Sequence, residues 1–114
     1  MKAIKTELEE VLVIELDCYG DNRGWFMECY NQDKFHKLGI DTVFVQDNHS
    51  MSAVKGTLRG LHFQNNPMAQ AKLVRCTKGA ILDVAVDIRK NSPTYKKWEA
   101  VELTEENKKI QYIQ

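Results

Sequence analysis

The chain has little with which to build a disulfide, membrane or nucleic-acid-binding protein. Only three cysteines, Cys18, Cys29 and Cys76, occur in 114 residues. Their number is odd and no pair has a CxxC spacing, so they read as ordinary thiols of a reducing compartment. No apolar run approaches the roughly eighteen residues of a membrane span, and Met1 to Glu7 lacks the apolar stretch of a secretory signal. The expected location is the cytoplasm. Neither charge sign dominates, with sixteen Lys and Arg against sixteen Asp and Glu. That balance argues against a broad basic surface for nucleic acid or an anionic membrane, and leaves room for a local site for a small phosphate. Histidine is scarce too: His62 has Gly60 and Gln64 two residues to either side, so a His-x-His metal pair is missing.

Helical periodicity is almost absent as well; what the chain has is short strands. Leu8 to Leu16 is an apolar run suited to a buried strand, and Asp17 to Gly24 a turn-rich connection. Trp25 to Tyr30 reads as strand, Asn31 to Leu38 as one helical turn stopped by Gly39, and Thr42 to Val45 as strand again. A central strand pair, 56–64 and 70–75, brackets a loop at Asn65 to Ala69. Lys78-Gly79 reads as a hairpin turn into Ala80 to Arg89. Trp98 to Leu103 and Ile110 to Ile113 complete the set. Seven or eight short strands with frequent turns predict one all-β domain, residues 1–114, of the sandwich or jelly-roll kind. The last strand runs to Gln114 without a closing turn. It is expected to leave an open sheet edge, covered by another subunit or by further chain.

The central pair concentrates polar groups: Arg59, His62, Gln64, Gln70, Lys72 and Arg75. Burying unpaired polar groups is costly. Two readings stay open on spacing alone, an anion-accepting pocket with a histidine base and a lysine cation, or a wet outer sheet face. Strand alternation puts Lys72 on one face with Gln70 and Val74, and His62 with Leu58. Arg59 joins His62 only if Gly60 makes a bulge, which the pocket reading expects. Arg23 and Arg59 read alone as surface ion pairs worth under about 1 kcal/mol. His36 is expected on the helix surface, and His49 is at most a rim residue. Asp83 and Asp87 share a strand face, either exposed together or with Asp83 beside Lys72.

Several separated motifs then agree. Asp21-Asn-Arg-Gly24 leads to Phe26 and Glu28, and Gln46-Asp-Asn48 to Ser50. Leu58-Arg-Gly-Leu-His62, Gln70-Ala-Lys-Leu73 and Asp83 to Arg89 follow, with Ser92 and Tyr95. In order and spacing, from about residue 8 to the last, the chain resembles the dTDP-4-dehydrorhamnose 3,5-epimerases, cupin-type jelly rolls of dTDP-L-rhamnose synthesis. The resemblance implies epimerisation at C3 and C5 of dTDP-4-dehydro-6-deoxy-D-glucose, with no metal and no organic cofactor. It implies that His62 is the base, that Lys72 lies beside the developing enolate, and that Arg23 and Arg59 contact the diphosphate. Phe26, Glu28, Gln46 and Asn48 would bind the rest of the dTDP-sugar. It also implies a homodimer with strand exchange at the N-terminal part, Arg23 and Glu28 reaching in from the neighbouring subunit. No partner of nucleic acid or membrane is implied. Members of the family are longer, and no residue here matches their tyrosine acid or the carboxylate that orients the base. Rival readings are a non-catalytic dTDP-sugar-binding protein and an epimerase or ketoisomerase of another 4-keto-6-deoxy sugar.

Overall fold

The computed structural model describes residues 1–114. It contains β1 (Lys2–Lys5), β2 (Val11–Glu15), β3 (Cys18–Asp21), β4 (Gly24–Met27), α1 (Gln32–Lys37), β5 (Lys72–Arg75), β6 (Ala80–Val86), β7 (Trp98–Thr104) and β8 (Ile110–Ile113). One antiparallel sheet has the order β1-β2-β8-β5, while β3-β4 and β6-β7 are antiparallel ribbons. The all-β expectation holds.

Strand β2 is apolar at nearly every position because it is covered on both faces. Leu12, Ile14, Leu73, Ile110 and Tyr112 project to one side, where Phe35 of α1 and Ile40 close over them. Tyr30, Phe35, Phe44 and Tyr112 interlock there edge to face, with centroids 4.9, 5.6 and 6.4 Å apart. Val11 and Ile113 project to the other side, where Leu8 and Ala85 of β6 pack on them. By alternation Val13, Lys72, Val74 and Gln111 share that second, inner face. On the facing ribbon, Ala85 fixes the inner side of β6, so Asp83 and Asp87 point inward with it.

The helix is short but well terminated. The Asn31 side chain accepts from the Lys34 N–H at 3.1 Å, Asp33 sits in the first turn, and basic residues fill the last. Gly39, at φ +90°, takes the chain out of the helix. His36 is exposed, as expected.

Several expectations need correction. Residues 56–64 form no strand: Gly56 and Gly60 take φ of +81° and +105°, and no neighbouring strand offers them a backbone ladder. The Gly60 bulge therefore has no sheet to interrupt. Thr42 to Val45 is also not a strand; Thr42 is held instead by its side chain, 2.6 Å from the Tyr112 hydroxyl. The Asp17 to Gly24 connection is mostly β-hairpin, because Cys18 to Asp21 pairs with Gly24 to Met27. Lys78-Gly79 turns the chain, with Gly79 at φ +81°, but not as a hairpin: β5 pairs with β8 and β6 with β7. Strand β8 is no open edge, since it lies between β2 and β5.

Candidate active site on the inner sheet face

The inner face brings together three polar side chains from three strands. Lys72 comes from β5, Gln111 from β8 and Asp83 from the facing β6. Lys72 stands opposite Ile113, and Ile113 packs on Ala85, two residues from Asp83. The ammonium is close enough to favour the ionised Asp83 carboxylate, but burial outweighs it and holds the carboxyl above its ordinary range. Asp83 Oδ2 is buried without a hydrogen-bond partner. A cation and an unsaturated carboxyl between two sheets can stabilise a developing negative charge or handle a proton.

The other candidate residues occupy separate places. His62 is exposed on the irregular 56–71 stretch and makes no hydrogen bond to the rest of the chain. Arg59, on the same stretch, donates to the Ser52 hydroxyl and the Met51 carbonyl, both at 3.1 Å. Gln46 donates to the Asn48 side chain at 3.2 Å. Arg23 and Phe26 belong to the β3-β4 hairpin and line a shallow hollow of about 270 Å³ with Tyr19, Asp21 and Trp25. There Arg23 clasps Asp21 at 2.7 Å and lowers the carboxyl below its usual range. Glu28 pairs with Lys34 at 2.7 Å, which likewise lowers it. One chain therefore turns Lys72 and Asp83 to the inner side, without an ion pair between them, and spreads the anion-binding candidates over its outer surface. Arg23 and Arg59 are both exposed.

Two features escaped the sequence reading. Asp87, only 6% exposed, accepts from the Arg89 N–H, Nε and Nη2, each at 3.0 Å, and from the Ser92 and Thr94 hydroxyls. Arg89 also forks onto both Glu10 oxygens at 2.8 and 2.9 Å, tying the end of β6 to the start of β2. Arg89, with the two hydroxyls, holds Asp87 far below the usual carboxylate range. The signal was Asp87 and Arg89 two apart, followed by Ser92 and Thr94. Gln111 was missed because a glutamine between apolar residues suggests a wet face, whereas β8 is covered on both.

Comparison with known proteins adds the family. The profile described as dTDP-4-dehydrorhamnose 3,5-epimerase matches residues 5–114. The dTDP-4-dehydrorhamnose 3,5-epimerase of Shigella flexneri is 55% identical over 114 residues, covering 99% of this chain and 62% of the relative. The dTDP-4-dehydrorhamnose 3,5-epimerase of Bacillus anthracis, solved with TDP and PPi bound, superposes with TM-score 0.96 at 46% identity, covering 99% of this chain and 65% of that one. The dTDP-6-deoxy-D-glucose-3,5-epimerase of Legionella pneumophila, in complex with dTDP-4-keto-L-rhamnose, gives TM-score 0.92 at 46% identity, over 98% and 59%. The chain thus spans about three-fifths of the length of the curated relatives it matches.

Proposed function

The chain belongs to the dTDP-4-dehydrorhamnose 3,5-epimerase family, and from that premise we propose that it converts dTDP-4-dehydro-6-deoxy-D-glucose to dTDP-4-dehydro-L-rhamnose by epimerising C3 and C5. The observation that carries the proposal is Lys72 on the inner face of the sheet, in the motif that the family resemblance assigns to the enolate cation. The ligands of the Bacillus anthracis and Legionella pneumophila relatives support a dTDP-sugar as substrate.

The chemistry follows from the acidity of carbons flanking a ketone. His62 removes the proton from such a carbon, and its ordinary pKa near neutrality suits it to accept one. The electron pair moves onto the C4 oxygen, and the Lys72 ammonium stabilises the enolate as a compact point charge. A proton from solvent adds to the opposite face of the same carbon and inverts it, and His62 returns the proton it took to solvent, so atoms and charge balance. Arg23 and Arg59 take the diphosphate, and Phe26, Glu28, Gln46 and Asn48 the base and sugar. In one chain these groups stand apart, which favours a homodimer that completes each site with the partner's N-terminal part. Three free thiols favour the cytoplasm as the place of reaction.

The test is deuterium uptake from D2O at the sugar carbons of dTDP-4-keto-6-deoxyglucose, with dTDP binding followed by calorimetry. Exchange is expected with the protein, and its loss in His62→Ala with dTDP binding retained. Undiminished exchange in His62→Ala removes the histidine from the mechanism. Binding without exchange in the unaltered protein favours a non-catalytic dTDP-sugar binder.

A further inference from the structure

Gln111 is fully buried, yet neither its Oε1 nor its Nε2 has a hydrogen-bond partner. It lies on the central strand β8, opposite Val13 on one side and Val74 on the other, so its direct neighbours offer it nothing polar. An unmade hydrogen bond in a buried site is costly, and an aliphatic side chain would fill the place without that cost. The polar group sharing its face is Lys72, diagonal to it across the β5-β8 pair, and the facing β6 carries the unpartnered Asp83 carboxyl. A carboxamide is the neutral group that serves both, since its oxygen accepts from an ammonium and its nitrogen donates to a carboxylate.

We propose that Gln111 is a positioning residue, its carboxamide linking the Lys72 ammonium to the Asp83 carboxyl through one ordered water. The inference rests on the reading of Lys72 as the enolate cation. It gives Gln111 a place in that reaction without contact to substrate. The remaining charged groups on the facing surfaces are already engaged: Glu99 of β7 accepts from the Glu7 N–H, Asp87 just past β6 holds Arg89, and Glu15 of β2 pairs with Lys2. The amide is therefore left to Lys72 and Asp83.

The test compares the unaltered protein with Gln111→Leu by carboxyl-carbon NMR, the Asp83 signal assigned with Asp83→Asn, together with the deuterium exchange assay. Loss of the donor to the ionised carboxylate is expected to raise the Asp83 midpoint by about one pH unit. Exchange is expected to slow by about tenfold in kcat with KM little changed. Should leucine disturb the fold, Gln111→Met keeps the length of the side chain without its polar atoms and serves the same comparison. An unmoved Asp83 midpoint in the folded variant overturns the proposal, and so does an exchange rate equal to that of the unaltered protein. If the midpoint moves but the unaltered protein exchanges no deuterium, the epimerase reading fails while the link from Gln111 to Asp83 stands.

Discussion

Asp83 in β6 and Asp87 just past its end turn to the same side, four positions apart, and they are treated in opposite ways. Asp87 collects five hydrogen bonds and is held far below the usual carboxylate range by Arg89 and two hydroxyls. Asp83 has none, and burial pushes it up despite Lys72. A carboxylate saturated by its own chain is a joint: through Arg89 it ties the end of β6, the turn after it and Glu10, just before β2, together. A carboxyl left unsaturated beside a cation contributes nothing comparable to stability, and is available for chemistry. The contrast separates what holds the fold from what the fold was arranged to present.

Stability should divide along the same line. Asp87→Ala strands two hydroxyls and half the ligation of Arg89, so a loss of about 3 kcal/mol is expected by denaturant unfolding. Arg89 remains about half exposed, which keeps the loss from being larger. A loss below about 1 kcal/mol would erase the distinction. Asp83→Asn removes a buried, unpaired charge and should leave stability at pH 7 unchanged or raised by about 1 kcal/mol.

Acid sharpens the comparison. The folded values of Asp87 and Glu10 are depressed, so their contributions are complete above the ordinary carboxylate range and lost as pH falls below about 4. Asp83 is raised and has the opposite sign: its cost is present at neutral pH and is relieved as pH falls through its folded value. Urea midpoints followed from neutral to acid pH should therefore fall less steeply in Asp87→Asn than in the unaltered protein, and more steeply in Asp83→Asn. The smallest effect lies on the other face of the sheet. Tyr112→Phe loses the bond to Thr42 and should cost about 1 kcal/mol, with no change in either aspartate's titration.

The sequence disclosed the strands where apolar alternation was its own evidence, as in β2, β6, β7 and β8. It misjudged stretches whose shape depends on a distant partner. Residues 56–64 carry strand-like side chains, but a strand exists only where another backbone meets it, and none does here. Strand β8 looked like an edge because pairing to β2 and β5, each far away in sequence, leaves no local mark. That same pairing buries Gln111, which alternation alone assigns to water. The period of two put Asp83 and Asp87 on a common face, whereas the saturation of Asp87 depended on a turn bringing Ser92 and Thr94 back to it.

The most direct measurement sets Asp83→Asn and Asp87→Asn side by side, reading thermal midpoint and deuterium exchange into the keto sugar in the same samples. The account predicts that Asp83→Asn keeps its midpoint and loses exchange by about tenfold or more, while Asp87→Asn melts earlier but exchanges normally below its transition. Exchange lost at Asp87 and retained at Asp83, in folded protein, would contradict it.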